Sequence, residues 1–177
     1  MKIIGKFFVL FIVSALTFCC FFSACAVNGD IIEEDFFMSM TNIQQYPKNY
    51  SDIDIRYDCF TYKLTDINGQ DHLCGVRQCS SGFGCTCGND TIIGFLLEYD
   101  GEIPEPRNQS EKSVEKTWVH IEGRLKDTEL REIQIYAYTD GKIDYQKKPE
   151  TVKFLVLTVS EINLINDYQN LKYYVTK

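Results

Sequence analysis

The sequence is poor in several things that would point to a function. Among its 177 residues there are two histidines, one tryptophan and four prolines. Basic residues are outnumbered, 18 against 25 acidic, for a net charge of −7. A basic face is the electrostatic footprint of nucleic-acid binding, so the acidic balance argues against that partner. Gly-x-Ser-x-Gly, His-Glu-x-x-His, P-loop and dinucleotide fingerprints are absent, and no catalytic constellation is expected. Beyond the first 25 residues no apolar run is long enough to span a bilayer, which takes roughly 17–25 residues. The chain has too much apolar (45%) and aromatic (14%) content to be disordered. Its length suits one domain with extensions.

Cysteine is plentiful by contrast, with eight residues. The first two, Cys19 and Cys20, lie inside an N-terminal segment with the layout of a secretory signal. Lys2 and Lys6 supply its positive start, and Phe7 to Phe22 form a sixteen-residue, mostly apolar run. Phe22-Ser23-Ala24-Cys25 then resembles a lipobox, with small residues before the cysteine and Phe22 in place of the usual Leu. The expectation is a signal peptide over 1–24, a diacylglyceryl anchor on Cys25 and a tether over 25–30. Ordinary cleavage and an uncleaved anchor are the alternatives. Several acyl chains hold a protein stably, each buried CH₂ adding roughly 0.8 kcal/mol. Loss of Lys2 and Lys6 leaves 16 basic and 25 acidic residues and a mature charge of −9, so lipid rather than charge would hold the chain to an anionic bilayer. The expected location is the extracytoplasmic face of the cell membrane.

Residues 31–177 read as a single domain. Over Ile31–Tyr46, apolar residues at 32, 36, 40 and 43 predict a helix that Pro47 stops. Glu33, Glu34 and Asp35 suit its first turn. Period-two alternation follows at 53–59, and Asn68-Gly69 marks a hairpin turn between 64–66 and 73–76. Further strands are expected at 92–99, 117–125, 133–139 and 152–165, the last bent near Ser160, with Gly123 permitting a bend in its own strand. Residues 104–116 read as an exposed loop, and the last twelve as a fraying end. One leading helix and about six strands without helical crossovers predict a mainly β fold, a small antiparallel Greek-key barrel of the OB type with an extra hairpin near 131–146.

Five cysteines remain in the domain: Cys59, Cys74, Cys79, Cys85 and Cys87. The last four fall within fourteen residues, spaced C-x4-C-x5-C-x-C. Disulfides are one reading, with Cys74–Cys79 closing a small loop and an odd thiol left over. A zinc site of Cys74, Cys79, Cys85 and Cys87, with Asp90, His72 or His120 contributing, is a second. Thiol–disulfide exchange at Cys85 and Cys87 is a third, although no following helix would stabilise a thiolate. His72 and His120 otherwise read as surface histidines. Trp118, Tyr136 and Tyr138 form either an aromatic binding surface or packing against the leading helix.

Four short phrases, spread over residues 31–165, carry a resemblance. They are PKNYSDIDIRYDCF at 47–60; Arg77 with Gly84-Cys85-Thr86-Cys87-Gly88-Asn89-Asp90 and Gly94-Phe95; Thr117-Trp118-Val119-His120-Ile121-Glu122-Gly123; and the closing strand TVKFLVLTVSEINLI. Together they resemble a family of small OB-fold-like lipoproteins of low-GC Gram-positive bacteria, whose middle phrase ends Gly-Cys-Cys-Gly-x-Asp. More distantly they are similar to the C-terminal half of the partner protein of a predicted two-component permease. Thr86 between the paired cysteines, and Cys59 at a usual Gly position, depart from the pattern. The resemblance implies the fold and no enzymatic activity. The expected function is non-enzymatic binding or assembly in the cell envelope, with an envelope protein or permease as partner. The alternatives are a metal-binding accessory of a transporter and a thiol–disulfide protein.

Overall fold

A computed structural model of the chain describes residues 29–79, 91–107, 115–136, 138–139, 142–172 and 174–175. In chain order these form β1 (Asp30–Ile31), α1 (Phe36–Gln45), a 3₁₀ turn (Pro47–Tyr50), β2 (Ile55–Thr65), β3 (Asp71–Cys79), β4 (Thr91–Glu98) and β5 (Trp118–Leu125). There follow β6 (Arg131–Ile135), β7 (Tyr138–Thr139), β8 (Lys142–Ile143), β9 (Glu150–Phe154), β10 (Val156–Leu164) and β11 (Tyr174–Val175).

Five strands make a ring. β2 is long enough to pair twice, with β5 through Ile55–Phe60 and with β3 through Phe60–Thr65. β3 then pairs with β4, β4 with β10, and β10 with β5, returning to β2. This is the connectivity of an OB-type barrel. The expected all-antiparallel pairing is corrected at one seam, where β10 and β4 are parallel. An odd number of strands cannot alternate direction all the way round a closed ring, so five strands require one parallel pair.

Alternation along each strand sorts the apolar residues onto two faces. Ile55, Tyr57, Cys59, Phe95, Val119, Ile121 and Leu157 point inward and meet Phe36, Met40 and Ile43 of α1. The helix is shorter than expected: Ile32 is exposed, and residues 30–31 pair in parallel with β2 instead. The end of the expected tether is therefore part of the barrel. Gly29 accepts a hydrogen bond from Arg56 N at 2.9 Å, and any Cβ on Gly29 would lie 2.0 Å from the Asp54 carbonyl oxygen.

Outward residues of β2, β3 and β4, among them Phe60, Tyr62, Cys74, Val76 and Leu96, form a second apolar layer with Ile133 and Phe154. The extra hairpin is longer than expected, because β6 pairs with β9 and reaches 154. It lies over the outer face of β3 and β4, a face OB barrels commonly use for ligands. The last strand divides at Leu155 into β9 and β10, and β10 has its bulge between Val159 and Glu161, at Ser160. Gly123 lies opposite Val159, where a Cβ would come 2.5 Å from the Thr158 oxygen. Within the end expected to fray, Val175 is buried and pairs with Cys79. Of the polar loop, Lys116 is buried, and so is Thr117 just after it, whose Oγ1 donates to Glu105 O at 2.8 Å.

Candidate functional site

β2 and β3 pair only as far as Phe60 and Val76. Past that point they diverge, and the side chain of Arg77 fills the seam. An arginine with no exposure must have its donors satisfied, since an unpaired buried charge is very costly. Arg77 Nε donates to Asp58 O at 3.0 Å, Nη1 to the Lys172 carbonyl, and Nη2 to the Glu33 carboxylate. Its guanidinium carbon lies 5.1 Å from the Phe36 ring centroid and 4.7 Å from that of Trp118. A planar, delocalised cation suits this stacked and forked environment. Glu33 also accepts from Lys172 N at 2.9 Å. One side chain thus ties β2, β3, β5, the approach to α1 and the C-terminal segment.

Beside this hub lies a half-open groove of about 350 Å³, lined by residues 30–33, Arg56, Tyr57, Asp58, Arg77 and His120. Its wall is the outer face of β2 and β5. Register places Asp58 opposite His120 and Arg56 opposite Glu122. His120 Nδ1 is 2.6 Å from Asp58 Oδ1; a carboxylate only accepts, so Nδ1 carries the proton and Nε2 is the ring's acceptor in the neutral form. Arg56 bridges Asp30 at 3.0 Å and Glu122 at 3.0 Å, and these hydrogen bonds, Glu122 first, raise its already high pKa further. At the groove's edge Asp54 is held below the usual carboxylate range, chiefly by its hydrogen bond from Arg124. The wall is thus a ladder of paired charges on rigid strands.

The cysteines are separated by the same alternation. Cys59 and Cys79 belong to the inner cluster and Cys74 to the outer one. Cys74 and Cys79 stand five residues apart on one strand, about 16 Å, on opposite faces. A disulfide needs Cα atoms within about 7 Å, so the expected Cys74–Cys79 bridge is corrected, as is any ion held by both thiolates. Odd separation along a strand is the physical reason. Burial pushes the thiols of Cys59 and Cys74 up, away from the thiolate form. Cys74 Sγ instead sits 3.9 Å from the His72 carbonyl oxygen. Among the described residues no group of three or more His, Cys, Asp or Glu could hold a metal ion. Cys25, Cys85, Cys87 and Asp90 lie outside the described residues.

Of the remaining expectations, His72 is half-buried with Nε2 3.5 Å from Asp66 Oδ2. Trp118 is buried, edge-on to Phe60 at 5.5 Å and stacked on Tyr168 at 6.2 Å, so it is not part of an aromatic surface. Tyr136 meets Tyr145 edge-on at 5.1 Å on the hairpin. Sequence reasoning missed Glu33, read there as a helix-start acid. The available signal was Arg77, whose strand position shares the inward parity of Gly75 and Cys79 and demands an acidic partner.

The family model of the DUF1980 C-terminal domain matches residues 28–153. No curated protein and no solved structure matches the chain.

Proposed function

Because the chain belongs to the family of DUF1980 C-terminal domains, we propose that it is a lipid-anchored, extracytoplasmic binding protein of the cell envelope, working without catalysis and with a membrane permease as its partner. The observation that carries this reading is the groove on β2 and β5, the outer barrel wall that the hairpin leaves uncovered. Its charges are paired in place, so the surface is preorganised for a partner rather than assembled on contact. Membership of the family supports the permease, since the chain's phrases resemble the C-terminal half of such a permease partner.

The anchor and the groove are close. Gly29 is the fourth residue after Cys25, a reach of at most ~14 Å, and residues 30–33 already line the groove. A lipid on Cys25 would therefore present the groove near the bilayer surface, where an integral membrane protein can reach it. A photocrosslinker at Ile32, which is exposed in the groove, should form an adduct with an integral membrane protein in intact cells. The same group at exposed Tyr145 on the hairpin should not. No adduct at Ile32, or equal yields at the two positions, would contradict the reading.

A metal-binding accessory role remains the second reading. Its expected ligands are Cys74, Cys79, Cys85, Cys87 and Asp90, of which Cys74 on the outer face and Cys79 in the inner cluster cannot hold one ion together.

A further inference from the structure

The outer wall of β2 and β5 carries three cross-strand rungs: Asp54 with Arg124, Arg56 with Glu122, and Asp58 with His120. Two rungs set a carboxylate against a guanidinium. In the third the opposing group is an imidazole, which when neutral leaves the charge of Asp58 uncompensated. β10 puts no cation opposite these rungs, since Glu161 stands opposite Glu122 and Asn163 opposite His120. Around the groove the carboxylates of Asp30, Glu33, Asp58 and Glu122 meet the guanidiniums of Arg56 and Arg77, four against two.

Donors and acceptors are unequally used there. Every guanidinium nitrogen of Arg56 and Arg77 already donates to a protein oxygen. Asp58 Oδ1 takes the Nδ1 proton of His120, and among the described residues neither Asp58 Oδ2 nor His120 Nε2 has a partner. Both side chains are open to solvent, 40% and 43% exposed. What the groove has left to offer is acceptors in a negative field, which select a cationic donor. Ile32, 53% exposed in the same groove, adds an apolar side. A bare cation makes no use of it, whereas lysine and arginine carry an aliphatic stem behind a charged head. The volume of about 350 Å³ lies near the lower end for ligand pockets and suits one such side chain.

We propose that the groove receives one basic side chain, lysine or arginine, of the partner protein. Its cationic head donates to Asp58 Oδ2 and His120 Nε2, and its stem lies on Ile32. The Asp58–His120 hydrogen bond sets the polarity of the site, because it fixes the imidazole proton on Nδ1 and leaves Nε2 an acceptor. The inference rests on the binding reading above and names the chemistry that the groove recognises.

The test uses the full chain in detergent with isotope-labelled histidine. Two histidines give two ring signals, and His120→Gln assigns them. The probes are the N-acetyl amides of lysine and arginine. Norleucine amide supplies the stem without the charge, and ammonium chloride the head without the stem. Lysine or arginine amide should shift the His120 signal saturably and leave that of His72 in place. Norleucine amide and ammonium should each bind roughly tenfold more weakly or worse. Asp58→Asn keeps the shape and reverses the polarity: the new amide donates to Nδ1 and moves the ring proton to Nε2. Affinity should then fall by roughly ten- to a hundredfold, with the melting midpoint close to wild type because the pair is exposed. Ile32→Ser should weaken both amides by roughly fourfold, and it carries the comparison if Asp58→Asn loses its far-UV signal. No saturable shift with either amide, equal binding of norleucine amide or ammonium, or undiminished binding in the variants would each overturn the proposal. None of these readouts needs the lipid or the partner. An adduct at Ile32 in cells without amide binding would keep the partner and remove this chemistry; amide binding without an adduct would do the reverse.

Discussion

Replacing Arg77 with Met should be among the most destabilising single changes in the domain. The methionine keeps the apolar stem between Phe36 and Trp118 and removes the guanidinium. Glu33 then keeps a carboxylate, only 19% exposed, whose cation is gone, and the carbonyls of Asp58 and Lys172 lose their donor. Breaking a buried pair from one side costs about 3–5 kcal/mol, and the partial exposure of Glu33 favours the lower end. Against a total stability of about 5–15 kcal/mol that is a large share. At about 2–4 °C per kcal/mol for a chain of this size, Tm should fall by about 6–20 °C. Urea titration followed by the fluorescence of Trp118, the chain's one tryptophan, reads the midpoint shift directly. Arg77→Lys should fall between, since one ammonium nitrogen cannot span three acceptors placed around a planar guanidinium. The same Arg77→Met change made in a Glu33→Gln background should cost less, with a coupling of about 0.5–3 kcal/mol. A loss below about 0.5 kcal/mol, the ordinary surface value, or simple additivity with Glu33→Gln, would refute the assignment of Arg77 as the hub.

Alkaline pH should destabilise the fold through its thiols. Cys59 and Cys74 have folded pKa values raised by burial above the ordinary 9.0. Above pH 9 the unfolded chain releases these protons while the folded one keeps them, so stability is full below that pH and falls as pH rises, by about 1.4 kcal/mol per pH unit per thiol. Cys59→Ala with Cys74→Ala should flatten that slope in urea titrations between pH 8.5 and 10.5; an unchanged slope would show that the buried thiols do not set it. At Gly75 a Cβ would meet Tyr57 Oη at 2.6 Å and Ile121 Cδ1 at 2.8 Å. Gly75→Ala should therefore cost about 1–3 kcal/mol by overpacking, checked by the denaturation midpoint. For metal, Cys74→Ala should leave the zinc content per purified chain unchanged, since Cys74 faces the outer layer; one equivalent in wild type that disappears in this variant would contradict that placement.

The barrel was legible because its signals are local. Alternation at 53–59, the Asn68-Gly69 turn and the break near Ser160 each have a counterpart in β2, the β2–β3 hairpin and the β10 bulge. Features that depend on distant residues were not legible. The parallel β4–β10 seam follows from closing an odd ring, and nothing local to either strand announces it. Glu33 lies 44 residues from Arg77, and Lys172 lies 95 residues away on the other side. The tail looked polar and was read as frayed, yet among its described residues Val175 alone is buried, and a single aliphatic residue carries no periodicity. For the cysteines, spacing suggested a cluster, and strand parity, once β3 was assigned, separates Cys74 from Cys79.

Metabolic labelling with a palmitate analogue tests the central claim, a lipid-anchored envelope protein, most directly. The wild-type chain should incorporate the label and sediment with membranes, and Cys25→Ser should do neither. Equal labelling of both chains, or none in the wild type, would contradict the Cys25 anchor and with it the membrane-proximal groove.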